Sequence, residues 1–115
     1  MTILVVEDDL NVLAFIDRLL TQRGDTVVGA GDPDHARFLL AEHGTQPDLL
    51  LLDVVLPGSN GLDFARAVKT ANPSLKIVFM TGLMHRAPAV QRSGLGPVIH
   101  KPFTSEELIK VIDSQ

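Results

Sequence analysis

Leu49-Leu50-Leu51-Leu52-Asp53 is the stretch that decides how this chain folds. Four consecutive leucines, with no alternation between apolar and polar positions, belong to a strand buried on both faces, as in a parallel sheet covered by helices. The carboxylate that follows emerges where the buried segment ends. The same event occurs earlier, where Ile3-Leu4-Val5-Val6 runs straight into Glu7-Asp8-Asp9. Two buried strands ending in acids predict an anionic pocket at the carboxyl edge of a parallel sheet, the edge at which open α/β folds bind ligands.

Outward from these runs, apolar segments and helical patterns alternate. Residues 3–6, 26–30, 48–52, 76–80 and 97–100 read as strands. Between the first two, Leu13, Ile16, Leu19 and Leu20 follow helical spacing over residues 10–23, with Asp9 or Asn11 as cap and Gly24 as stop. A second helix covers 33–43, with Pro33 in its first turn and Gly44 beyond its end. The third covers 62–71, capped by Asn60, and the last 105–113, with Thr104 and Glu107 as a capping box. Residues 82–96 contain Pro88, Gly94 and Gly96, which confine any helix there to about 88–93. Strands alternating with helices predict an α/β fold with a doubly wound, five-stranded parallel sheet and a shortened fourth helix.

The 115 residues suit one domain with one core, and 45% hydrophobic with 21% charged content suits a globular chain. A net charge of −4 with scattered basic residues lacks the footprint of a nucleic-acid binder. With no cysteine there is no disulfide framework, thiolate zinc site or thiol nucleophile. No apolar run approaches the roughly 18 residues that span a bilayer, and the chain enters a strand without a signal segment. The cytoplasm is the expected location.

At the carboxyl edge the strands present Glu7 and Asp8, then Asp53, then Thr81, then Lys101. Like charges about 4 Å apart repel by roughly 4 kcal/mol at an effective dielectric of about 20, so clustered carboxylates need a cation. Oxygen ligands without cysteine favour Mg²⁺. Lys101 adds a positive charge suited to a phosphate oxygen, and Thr81 a hydroxyl donor. A carboxylate in such company is suited to phosphoryl transfer, with Asp53 attacking phosphorus.

Taken together, Val6-Glu7-Asp8, Leu52-Asp53, Leu56-Pro57-Gly58 with Gly61, Met80-Thr81-Gly82 and Lys101-Pro102-Phe103 resemble the receiver domain of two-component response regulators over essentially the whole chain, 1–115. The resemblance implies the flavodoxin-like strand order 2-1-3-4-5 and a single receiver domain. It implies Asp53 as phosphoacceptor, with Mg²⁺ held by Asp8, Asp53, Glu7 (often through water) and the backbone carbonyl of Val55. It further implies Thr81 and Lys101 as the grip on phosphoryl oxygens, a cis Lys101–Pro102 bond, and a histidine kinase or histidine phosphotransfer protein as partner. A signalling phosphoacceptor, monomeric or weakly dimeric, follows, rather than an enzyme acting on other substrates. No contact with nucleic acid or membrane through this domain is implied.

Two departures stand out. Val98 occupies the place, three residues before the lysine, where receivers carry Tyr or Phe, and the chain has no Tyr at all. The interval from Thr81 to Lys101 is also short, which resembles receivers of hybrid histidine kinases or those standing alone. Two other functions share some of these features. A haloacid-dehalogenase-type phosphohydrolase also uses an Asp after a buried strand, but wants a second acid two residues on, where Val55 stands. A pseudo-receiver would keep the fold for protein contacts only, although here the site residues are all present.

Other residues read more plainly. Asp9 is a helix cap, and Gly58 and Gly61 are turn formers, since no phosphate-cradling glycine motif surrounds them. His35, His43, His85 and His100 stand at no metal-ligand spacing. Leu10, Val12 and Phe15 exceed what one inner helix face needs; ordinary partial burial is the plainer reading, and a surface for a kinase or phosphotransfer helix bundle is the alternative.

Overall fold

The computed structural model describes residues 1–42, 44, 46–56, 59–82 and 87–115, without the side chains of 42, 55, 56, 59 and 60. His43, Pro57, Gly58 and His85, and the side chain of Asn60, lie outside what is described. The strands are β1 (Thr2–Val6), β2 (Thr26–Ala30), β3 (Leu49–Asp53), β4 (Val55–Leu56), β5 (Ser59–Asn60), β6 (Lys76–Thr81) and β7 (Val98–His100). The helices are α1 (Leu10–Gln22), α2 (Pro33–Glu42), α3 (Gly61–Ala71), α4 (Ala87–Ser93) and α5 (Ser105–Asp113). The main sheet has five strands in the order β2-β1-β3-β6-β7, all parallel, which is the predicted order.

Register explains why an unbroken leucine run suits the centre of this sheet. Leu49 to Leu52 pair with Ile3 to Val6 on one side and Lys76 to Phe79 on the other. Successive side chains then enter opposite cores. Leu4, Val6, Leu50, Leu52, Ile77 and Phe79 pack with α2, α3 and α4 through Ala36, Phe64, Ala65 and Val90. Ile3, Val5, Leu49, Leu51, Val78 and Met80 pack with α1 and α5 through Ile16, Leu20, Leu108 and Ile112. Each core needs every second residue, so neither can accept a polar one.

The helix ends follow local chemistry. Asp9 accepts from the backbone N–H of Asn11 at 2.9 Å and Val12 at 3.3 Å, a cap worth about 1 kcal/mol. Gly24 takes φ +95° just past the end of α1, where only glycine is unstrained. The Thr104–Glu107 capping box opens α5. The reduced fourth helix is present as the seven residues of α4.

The structure differs from the sequence reading in two respects. β3 and β6 run one residue further than predicted, so Asp53 and Thr81 are the last residues of their strands rather than the first beyond them. Asp53 pairs in register with Met80, and Val54 N–H donates to Met80 O at 3.0 Å, which carries the pairing past the leucine run. A small antiparallel hairpin, β4–β5, follows Asp53; its strands of two residues are too short to leave a periodic signal.

Among the described glycines, Gly96 lies tightest against its neighbours. A Cβ there would lie 1.9 Å from the carbonyl oxygen of Ile77, so the chain entering β7 rests directly on the β6 backbone. Gly96→Ala is expected to destabilise the fold by about 2–3 kcal/mol, measured by chemical denaturation. Gly31→Ala, where a Cβ meets nothing within 4 Å, should change stability little.

Candidate functional site

The site is built from strand ends. Glu7 follows β1 directly, and its N–H donates to Ala30 O at 3.0 Å, so the pairing of β1 with β2 continues one residue past the strand. Asp53 ends β3 and Thr81 ends β6. Lys101 follows β7, and its N–H donates to Thr81 O at 2.8 Å, which draws the lysine backbone against the end of β6. The Lys101–Pro102 peptide bond is cis. Glu7 and Thr81 are fully buried and Asp53 nearly so, whereas Asp8 is exposed at the rim.

Lys101 is the hub. Its Nζ donates to Glu7 Oε1 at 2.5 Å and to Asp53 Oδ2 at 2.8 Å, bridging residues 94 and 48 positions away in sequence. Glu7, Asp8 and Asp53 each offer a carboxylate oxygen, and these oxygens lie within 4.8 Å of one another. Among the described residues three acids thus face one ammonium, leaving the cluster short of positive charge.

The shortage registers in the protonation of Glu7. Burial, then hydrogen bonding to Asp53, pushes its pKa up to about 8 from 4.5, against the opposing pull of Lys101. For Lys101, burial acts to lower the pKa, but the hydrogen bonds and charges of Asp53 and Glu7 outweigh it and raise the value. Glu7 Oε2 is buried and accepts no hydrogen bond among the described residues. A buried acceptor without a donor, beside two further carboxylates, is the environment a hard divalent cation or its bound water satisfies. The donor set therefore fits Mg²⁺.

Chain geometry beyond Asp53 is close. At Gly61, the first residue of α3, a Cβ would meet Asp53 O and Val54 O, each at 3.0 Å, so the hairpin β4–β5 returns the chain onto the strand end it left. Val55 stands two residues after Asp53, at the start of that hairpin. His35 and His100 are exposed.

An apolar groove of about 430 Å³ adjoins Lys101, lined by Asn11, Val12, Phe15, Pro102 and Phe103. The rings of Phe15 and Phe103 are 6.3 Å apart, within aromatic contact range. Leu10 (76%) and Phe15 (40%) are the exposed large apolar residues of α1. The surplus of apolar residues on α1 signalled this surface; its other wall, Phe103, was visible only as part of a motif, because nothing in the sequence shows that α1 and the β7–α5 turn lie side by side.

Comparison with known proteins agrees with this architecture. The sequence profile of the response regulator receiver domain matches residues 3–113. DNA-binding response regulator MtrA of Mycobacterium leprae is 36% identical over 109 residues, 93% of this chain and 47% of that protein. DNA-binding transcriptional regulator NtrC of Azospirillum brasilense is 32% identical over 114 residues, 97% of this chain and 23% of that protein. The chain thus spans about half the length of MtrA, at 47%, and less of NtrC. Among solved structures, a response regulator receiver domain protein from Clostridium thermocellum superposes with a TM-score of 0.87 at 25% identity, covering 98% of this chain and 91% of that one. Response regulator protein TrrA from Thermotoga maritima, solved in complex with Mg²⁺-BeF, gives 0.85 at 25% identity, covering 98% and 96%. A sheet ordered β2-β1-β3-β6-β7 with acids and a lysine gathered at its carboxyl edge, matched along 3–113, makes this chain a member of the response regulator receiver domain family of two-component signalling.

Proposed function

We propose that Asp53 is the phosphoacceptor of this receiver and that residues 1–115 act as one receiver unit. The observation that carries the reading is the double contact of Lys101 with Glu7 and Asp53, which holds a nearly buried carboxylate beside a fixed cation. In transfer from a phosphohistidine, an Asp53 oxygen forms a bond to phosphorus while the P–N bond breaks and its electron pair stays on the departing imidazole. Lys101 and the Thr81 hydroxyl receive the equatorial phosphoryl oxygens. Asp8, Asp53 and Glu7 (the last through water), with the Val55 carbonyl, would hold Mg²⁺, which when bound supplies positive charge to the same oxygens. TrrA, solved with Mg²⁺-BeF, supports that choice of metal.

Both competing readings are weaker. Val55, two residues after Asp53, has no proton to donate, which disfavours a haloacid-dehalogenase-type hydrolase. A pseudo-receiver would have no need of a lysine clamped between two acids. Beyond its own phosphorylation and dephosphorylation we assign the chain no catalysis. The subclass, hybrid-kinase or stand-alone, rests on the Thr81–Lys101 spacing alone, and the relatives named above are DNA-binding regulators. No helix of the described residues is long and apolar enough to cross a membrane, which accords with a cytoplasmic role.

The partner is a histidine kinase or histidine phosphotransfer protein. Val12, Phe15 and Phe103 line an apolar groove that ends at Lys101, so a helix bundle seated there would bring its phosphohistidine to Asp53.

Beryllofluoride with Mg²⁺ should raise the thermal stability of the native chain and leave Asp53→Asn unchanged; an equal shift in that variant would refute Asp53 as acceptor. Phe15→Ala should slow phosphotransfer from a donor protein by about tenfold, the loss of one buried aromatic contact, while leaving labelling by acetyl phosphate intact.

Glu7 gives a pH test in metal-free protein. Because its folded pKa, about 8, exceeds the unfolded 4.5, the folded state holds the proton more tightly. The stability it contributes is complete below 4.5, declines as pH rises towards about 8, and is flat above. Glu7→Gln should remove this decline, as read by urea denaturation in chelator across that window.

A further inference from the structure

A second concavity lies on the opposite face of the sheet from α1 and α5, between α2 and α3, with a volume of about 350 Å³. That is within the usual range for small-molecule sites, roughly 300–1,000 Å³. The packing behind it is apolar and fixed, with Phe64 fully buried, Leu75 2% exposed and Pro47 buried. Leu40 and Val68 are half-buried walls, and Ala67 and Ala71, one turn apart on α3, leave the mouth open.

Polarity is confined to the rim, where one cation dominates. The guanidinium carbon of Arg37 sits 5.1 Å from the centroid of the Phe64 ring. Arg37 Nη1 donates to Asp34 Oδ1 at 2.9 Å, but that carboxylate is 94% exposed, and such a pair is worth only a few tenths of a kcal/mol. A guanidinium carries five N–H donors, and among the described residues Asp34 is the acceptor it uses. No acidic side chain and no second cation is among the described lining residues. The neighbouring Lys69 does not line the cleft; its ammonium donates to Leu75 O at 2.6 Å.

We propose that this cleft binds a small amphipathic carboxylate, its apolar body against Leu40, Val68 and Ala71 and its anionic head paired with Arg37. A guanidinium pairs bidentately with a carboxylate, and one cation on the rim balances one negative charge. The buried Phe64 ring beneath the guanidinium holds the cation beside the apolar walls Leu40 and Val68, the arrangement that a molecule with adjoining apolar and anionic parts complements. The inference is independent of the phosphoacceptor reading. The cleft and the Phe15–Phe103 groove lie on opposite faces, so both are accessible at once.

The probe is 4-phenylbutyrate, with 4-phenylbutanol as its neutral counterpart, titrated into the native chain by calorimetry and amide NMR. Saturable shifts centred on Leu40, Val68 and Ala71 are expected. Arg37→Gln should weaken 4-phenylbutyrate by about tenfold, the loss of one charge-assisted pairing, and leave 4-phenylbutanol unchanged. Ala67→Leu and Ala71→Leu, each a strong helix former placed in the mouth, should abolish both, with unchanged circular dichroism and unchanged response to beryllofluoride. Shifts without saturation, shifts centred on Phe15 and Phe103, or equal binding by Arg37→Gln would overturn the proposal. Should a leucine variant fail to fold, the charge-specific loss in Arg37→Gln still decides the matter.

Discussion

The ammonium of Lys101, held between Glu7 and Asp53, is the interaction on which the rest of the arrangement turns. Glu7 and Asp53 are carried by neighbouring strands of a parallel sheet, and burial at a strand end gives neither carboxylate the water it would otherwise have. Bringing them together is unfavourable without a counter-charge. The lysine arrives from the far side of the sheet, after β7, and its backbone is fixed by Thr81. A buried pair of this kind adds little net stability against an apolar alternative, whereas removing one partner costs about 3–5 kcal/mol because it strands a charge. The cluster is therefore an expense the fold sustains, which is the mark of a site kept for chemistry.

The remaining architecture serves that meeting point. Two cores, one on each face of the sheet, are filled by alternate residues of the same strands, and this locks the strand ends in register. A slip of one residue in β3 would send Leu50 and Leu52 to the wrong face and move Asp53 away from Lys101. The two faces differ in what they offer. The α1–α5 side meets the site at its rim and exposes aromatic surface there, while the α2–α3 side leaves a cleft with a single cation at its edge.

Much of this was legible in the residues because burial on both faces of a strand writes itself as an unbroken apolar run. The Leu49–Leu52 run and the 3–6 run located the central strands, and the acids after them located the site. Helix ends were legible where a cap chemistry existed, as at Asp9 and Thr104. What could not be read has physical reasons. The strands ending at Asp53 and Thr81 run one residue past what their apolar runs predict, because hydrogen bonding, not hydrophobicity, carries them that far. The β4–β5 hairpin is too short for periodicity, and the contacts of Gly61 and Gly96 with distant backbone have no local signature. Val98 was legible as a departure from the receiver pattern. In the structure it is half-buried, aligned with Phe79 and packed against the core of that face, with no ring at that position to rotate.

The central claim is that these strand ends form one phosphoryl-accepting pocket with Asp53 as its nucleophile. The most direct measurement is to incubate the chain with Mg²⁺ and acetyl phosphate, reduce any acyl phosphate with borohydride, and locate the resulting homoserine by peptide mass spectrometry. The account predicts conversion at position 53 alone, dependent on the metal and lost on chelation. Conversion at position 8, or none at any position while the metal is bound, would contradict it.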